Sequence, residues 1–164
     1  MQQLWAPWRI EYIKNIQQKK EKGCIFCLYP KKRDQSKALI LAQTPLSFII
    51  LNKFPYSNGH LMVVPKRHVS QLEELSSEEG LDLFLVKQKT VEILRKVFKP
   101  EGFNIGMNIG KAAGAGIEKH LHTHIVPRWF GDTNFMPVLY NTKIISQSLG
   151  QLYKLLIHAK SKRV

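Results

Sequence analysis

The sequence predicts an α+β fold: an antiparallel sheet covered by one long helix and a C-terminal helix. Three observations carry this reading. Short apolar segments alternate with turn residues in the first half, a long stretch with helical spacing follows, and further strand-like segments come after it. Residues 39–42 and 48–51 read as the first two strands, with Thr44-Pro45 as the turn between them. Pro55, Asn58 and Gly59 supply the turn before a third strand at 61–64, which completes an antiparallel meander. Ser76 and Glu79 match a capping box and open a long helix, in which Leu81, Phe84, Leu85, Val91, Leu94 and Val97 recur at helical spacing. Pro100 and Gly102 stop it. Residues 103–109 form the next strand, 110–116 a small-residue loop with three glycines, and 121–126 the last strand. A second helical pattern runs over 143–159, while 5–22 reads as an arm with a short helix and 29–37 as a polar loop.

A chain of 164 residues with 44% hydrophobic residues fits one domain, 1–164, with an arm at 1–23, a core at 24–140 and a C-terminal helix with a basic tail at 141–164. No apolar run approaches the roughly 18 residues of a membrane span, and residues 1–10 lack the pattern of a secretory signal. A cytoplasmic location is the default expectation. The net charge of +13 comes from 25 Lys+Arg against 12 Asp+Glu. Its basic runs, at 19–22, 31–33 and 160–163, sit in loops or tails and are not interleaved with aromatic residues. They read as solvated surface or as attraction for a small anion, so nucleic-acid binding is not expected.

Six histidines occur, and three of them stand at alternate positions in His120-Leu121-His122-Thr123-His124. On a strand, a period of two puts these three on one face and leaves Leu121, Thr123 and Ile125 for a core on the other. A core has no reason to collect three imidazoles. Either zinc ligation or nucleophilic attack on phosphorus suits such a row, because neutral imidazole serves both. The preceding loop favours phosphate chemistry: Gly110, Gly114 and Gly116 let backbone N–H groups approach an anion, and Lys111 adds charge.

Cys24 and Cys27 are the only cysteines. Two thiols make no disulfide framework, and the setting is not that of a thioredoxin-like redox pair. Zinc would need two further ligands, for which His68 and His120 are available and His60 competes. The alternative is a pair of reduced thiols without metal. His158 lies in the basic C-terminal pattern and is expected at the surface.

The segment 120–126 matches the His-x-His-x-His-x-x signature of the histidine-triad superfamily, and the hairpin-like 51–55 and 59–68 resembles the region upstream of it. Trp5-Ala6-Pro7-Trp8-Arg9, Ala113-Gly114-Ala115-Gly116, Pro127-Arg128-Trp129 and the stretch 131–137 resemble the bacterial diadenosine tetraphosphate phosphorylase branch. Thr123 departs from that branch, where a bulky aromatic is common. The resemblance implies that His122 is a nucleophile forming a nucleotidyl intermediate and that His124 binds α-phosphate oxygens. It implies that Asn52 bonds the ribose, that Asn108 and the backbone near Gly116 contact phosphate, and that Phe26 and Ile50 wall the base. It further implies structural zinc on Cys24, Cys27, His68 and His120; His60, the competing ligand, is then expected to support the active site. The assembly it implies is a homodimer joined through the long helix and strands.

The expected activity is therefore cleavage of dinucleoside polyphosphates by phosphorolysis or hydrolysis through a covalent nucleotidyl-His122. The alternative is hydrolysis of adenosine 5′-phosphoramidates or other nucleoside monophosphate conjugates, whose amine leaving group needs a proton donor. Ala115, Gly116 and Ile117 offer none in the loop before the triad. A nucleotide-binding or nucleic-acid-binding module without turnover is a more distant alternative, since it would not need the intact nucleophile.

Overall fold

The computed structural model describes residues 23–132 and 145–161. At its centre is an antiparallel sheet of β1 (Ile40–Gln43), β2 (Ser47–Leu51), β3 (Leu61–Pro65), β4 (Gly102–Met107) and β5 (Thr123–Arg128), in the order β1-β2-β3-β5-β4. The first three strands form the expected meander. The long helix α2 (Ser77–Phe98) then carries the chain past β5 to the edge position of β4. Two shorter helices complete the described chain: α1 (Ile25–Leu28) ahead of the sheet and α3 (Leu149–Ser161) at the end.

Every residue of β2 and β3 is buried, because the sheet is covered on both faces. Alternation divides their side chains between two cores. Ile49, Leu51, Leu61, Val63 and Ile125 pack with Leu83, Val86 and Leu94 of α2 and with Leu152 and Leu156 of α3. Phe48, Ile50, Met62 and Val64 point the other way and pack with Ile40, Ala38 and Phe26 of α1. This second face carries the functional site.

The capping box at α2 forms as expected: the Ser76 hydroxyl accepts from the Glu79 amide, and the Glu79 carboxylate accepts from the Ser76 amide. The inward face of the helix takes only part of the expected apolar pattern, Leu94 with Val91 and Val97 beside it. Leu83, Val86, Thr90 and Leu94 are buried, whereas Leu81, Phe84 and Leu85 are 60%, 54% and 53% exposed. Both sets satisfy a 3.6-residue period, and spacing alone does not say which one meets the sheet.

Other boundaries also moved. The strand expected at 121–126 begins at Thr123, so His120 and His122 sit in the approach to β5 and His124 lies within it. The strand expected at 103–109 ends at Met107. The helical pattern expected from 143 begins as α3 at Leu149, with the Ser148 hydroxyl capping the Gln151 amide. The loop expected at 29–37 opens with one 3-10 turn, Tyr29–Lys31. The expected arm helix at 5–22, the motif at 5–9, most of 131–137 and positions 143–144 lie outside the described residues.

Candidate active site and metal cluster

Backbone hydrogen bonds set the chemistry of His122. Its Nδ1 lies 2.8 Å from the His120 carbonyl oxygen, which can only accept, so Nδ1 carries the proton and Nε2 keeps a free lone pair. The ring is buried, yet it lines a cavity of about 840 Å³. An imidazole whose Nε2 keeps its lone pair beside a cavity can act as a nucleophile.

A second chain of bonds assigns His124. The Tyr56 backbone N–H donates to Nδ1 of His60 at 3.0 Å, which leaves Nε2 of His60 to carry its proton. That nitrogen lies 2.9 Å from Nδ1 of His124, so His124 accepts there and its own Nε2 becomes a donor. The rings of His122 and His124 are 4.8 Å apart. Burial, with the charge of His122 as a lesser cause, pushes His124 down to about 4, so it donates as a neutral group. A lone pair and an N–H therefore stand side by side, as attack on a phosphorus with oxygens to stabilise requires.

The rest of the cavity grades from polar to apolar. Phe26, Ile50 and Met62 line it beside Gly116, and the Phe26 ring stands 5.2 Å from that of His122. Asn52 also lines it, with its carbonyl oxygen accepting from the Phe54 amide and its NH2 3.2 Å from Nδ1 of His60. Of the expected binding residues, Asn52, Gly116, Phe26 and Ile50 thus share the cavity with His122 and His124. Asn108 lies just beyond β4 and is not part of the cavity lining. Lys111 falls in the 3-10 turn Lys111–Ala113 and does not line it either. The sequence reading missed Tyr56, whose ring is 4.6 Å from His60 and 5.6 Å from His124. It also missed Lys37, Lys53 and the start of α3 at Leu149 and Gly150. Tyr56 could have been suspected from its place in the hairpin ahead of His60; α3 left no local signal.

On the far side of Phe26, four donors converge. Cys24 precedes α1 and Cys27 lies one turn on, which brings both thiols to one side. Their ligand atoms and those of His68 and His120 all lie within 4.8 Å of one another. Sulfur-to-nitrogen distances are 3.3 Å for Cys24–His120, 3.2 Å for Cys27–His68 and 3.5 Å for Cys27–His120. A tetrahedral zinc with ordinary bond lengths places such atoms about 3.6 Å apart, so the donor set fits a metal. Nε2 of His120 donates to the Pro65 carbonyl at 2.9 Å, which frees Nδ1 for the cluster. Burial pushes the Cys27 thiol up and His120 down; a cation among these groups would convert thiol to thiolate. His60 is fully buried and bonded to His124, away from this cluster. His158 is exposed, as expected.

Alternate histidines that leave one ring nitrogen free at a cavity and turn another toward a cluster that could hold a metal place the chain with histidine-triad proteins. The HIT domain profile matches residues 33–131. The chain is 38% identical over 162 residues to the AP-4-A phosphorylase of Mycobacterium tuberculosis, covering 95% of this chain and 83% of the relative. It is 38% identical over 107 residues to an adenosine 5′-monophosphoramidase of Schizosaccharomyces pombe, covering 65% and 74% of the two chains. A zinc-bound histidine triad family protein from Mycobacterium smegmatis matches in structure with a TM-score of 0.65 and 25% identity, over 85% of this chain and 94% of that one. The chain belongs to the HIT domain family.

Proposed function

We propose that this protein cleaves dinucleoside polyphosphates of the diadenosine tetraphosphate type through a covalent nucleotidyl-His122. The single observation that carries the reading is the His122 Nδ1–H bond to its own neighbour's carbonyl, which leaves Nε2 as the free base at the cavity. In the first step Nε2 forms a bond to the α-phosphorus, and the bond from that phosphorus to the bridging oxygen breaks. The departing nucleoside polyphosphate takes the electron pair and is already stable as an anion. Positive charge grows on the His122 ring, and the His120 carbonyl stabilises it through Nδ1–H. His124 Nε2–H donates to a non-bridging oxygen, Asn52 bonds the ribose, and Phe26 and Ile50 hold the base. In the second step water or inorganic phosphate attacks the same phosphorus and Nε2 leaves.

The similarity over most of both chains to an AP-4-A phosphorylase supports the tetraphosphate class and favours phosphate as the acceptor. Incubation with diadenosine tetraphosphate, with and without inorganic phosphate, tests the reading. ADP plus ATP appearing only with phosphate means phosphorolysis, and AMP plus ATP without it means hydrolysis. His122→Ala is expected to lower turnover at least about 10³-fold. Cleavage within several-fold of wild type in that variant would remove His122 from this role. No cleavage of diadenosine tetraphosphate by the wild type would point to the phosphoramidates instead.

The same proposal places a structural zinc on Cys24, Cys27, His68 and His120, where it would tie α1 to the segment carrying His122. Thiols committed to a metal rather than a disulfide suit the cytoplasm. A homodimer through α2 and β4 completes the reading, supported by the outward Leu81, Phe84 and Leu85 and by Ile105 on the sheet edge, 50% exposed.

A further inference from the structure

The phosphoanhydride end of the cavity is served by His122, His124 and Gly116, but its other end holds cations that this chemistry does not use. Register fixes the order between the two ends. His124 pairs with Met62, Met62 with Ile50 and Ile50 with Ile40, so from His124 an apolar floor runs across three strands and packs with Phe26. A base belongs on that floor. The polar sugar then falls at Asn52, just beyond the end of β2, and the same lining includes Ser36, Lys37, Lys53 and the first residues of α3.

Lys37 and Lys53 are not neighbours in sequence, yet both line the cavity, two residues outside the aligned pair Leu39 and Leu51. Leu51 donates its amide to the Leu39 carbonyl at 3.0 Å, which aligns the chain entering β1 with the chain leaving β2. Leu39 adopts φ 59, a left-handed conformation unfavourable for a non-glycine residue, and it closes the tight turn carrying Ser36 and Lys37. Among the described residues neither ammonium is held in a strong ion pair. Lys37 lies 3.6 Å from Asp34 with both side chains largely in solvent, a pair of little strength. Lys53 has no ion pair among the described residues. The described lining includes no carboxylate, and the positive end of the α3 dipole, at Leu149 and Gly150, adds to the same field.

We propose that this end is a second anion subsite, in which Lys37 and Lys53 take a phosphate esterified to the ribose 2′ or 3′ oxygen of the bound nucleotide. The inference rests on the nucleotide reading above and deepens it. The preferred substrate is then a nucleotide phosphorylated on its sugar as well as activated at its 5′ position. Ser36 and the α3 amides complete the cradle, while Asn52 bonds the hydroxyl left free.

Calorimetric titration of the protein with AMP, adenosine 2′,5′-bisphosphate and adenosine 3′,5′-bisphosphate at constant ionic strength tests this and separates the two sugar positions. One bisphosphate is expected to bind about tenfold tighter than AMP, the strength of a charge-assisted phosphate contact. In the Lys37→Met/Lys53→Met double variant the ratio of its affinity to that of AMP is expected to fall to about one. Equal binding of all three ligands by the wild type overturns the subsite, as does a ratio that survives the double substitution. A uniform loss of all three affinities, with the ratio kept, means general attraction of anions and also overturns it. Absence of AMP binding strikes the nucleotide reading itself, whereas AMP binding with no gain from a second phosphate strikes only the subsite.

Discussion

His120, His122 and His124 stand two residues apart yet have three different surroundings. His120 turns its Nδ1 to two thiols, His122 gives its Nδ1–H to a carbonyl, and His124 accepts from His60. The protonation of His124 has a consequence for stability. Its folded value is near 4 against an ordinary 6.5, so the unfolded chain binds the proton more readily. The stability it contributes is complete above about 6.5 and is lost as the pH falls through 6.5 toward 4. In urea titrations between pH 7 and 4, His124→Gln is expected to lose stability less steeply than wild type. Parallel pH profiles for the two proteins would refute the assignment. Glu79 behaves similarly at lower pH. Its bond from Arg67, with lesser help from the Ser76 amide, holds it near 2, so its stabilisation persists above about 4.5 and fades only as the pH falls toward 2.

At the scale of elements, α2 does two jobs with two faces. Leu83, Val86 and Leu94 seal one side of the sheet, while Leu81, Phe84 and Leu85 face outward together. Such an outward stripe on a helix already anchored in a core is a candidate interface. The proposed homodimer makes Phe84→Glu an informative change, because a charge buried in an apolar interface without a partner is strongly unfavourable. Light scattering is expected to give a dimer mass for wild type and a monomer mass for the variant at micromolar concentration. A monomeric wild type would remove the interface. On the other face of the sheet, α1 is only one turn long, and its Phe26 packs edge-on to His120 at 5.5 Å as well as against His122. So short a helix is not stable by itself; the core contacts of Phe26 and the contacts of Cys24 and Cys27 with His68 and His120 hold it.

For the whole molecule, the cluster of Cys24, Cys27, His68 and His120, which could hold a metal, joins three distant stretches of chain: α1 with the residue before it, the segment after β3 and the approach to β5. A ligand that binds only the folded state stabilises it by mass action, by about 4 kcal/mol at a thousandfold excess over its dissociation constant. That corresponds to roughly 10 °C in a domain of this size. Elemental analysis is expected to find about one zinc per chain, and chelation to lower the melting temperature by that order. Cys24→Ser is expected to lose the metal and to melt near the chelated wild type. A metal-free wild type whose melting is unchanged by a chelator would exclude the site. Among the described residues no helix is long and apolar enough to cross a membrane.

Much of this was legible in the residues. The Ser76–Glu79 capping box, the Thr44-Pro45 turn and the apolar segments located α2 and the first three strands, because caps, turns and alternation are local. The histidine row announced phosphate or metal chemistry before any fold was known. Periodicity could not tell which face of α2 turns inward, since both apolar stripes fit one helix. Nor could it show that β3 neighbours β5, which is what sets Met62 beside His124 and gives the cavity its floor. The residues themselves left His120 and His60 open as a partner for the thiols and the family resemblance pointed to His120, which tertiary structure brings to them, whereas the presence of Lys37 and Lys53 in the lining of one cavity came only from the fold. Both depend on contacts between residues far apart in the chain, and the sheet register alone brings such residues together. By itself the sequence determined which groups could do the chemistry; the packed sheet decided which nitrogen of each histidine is free to do it.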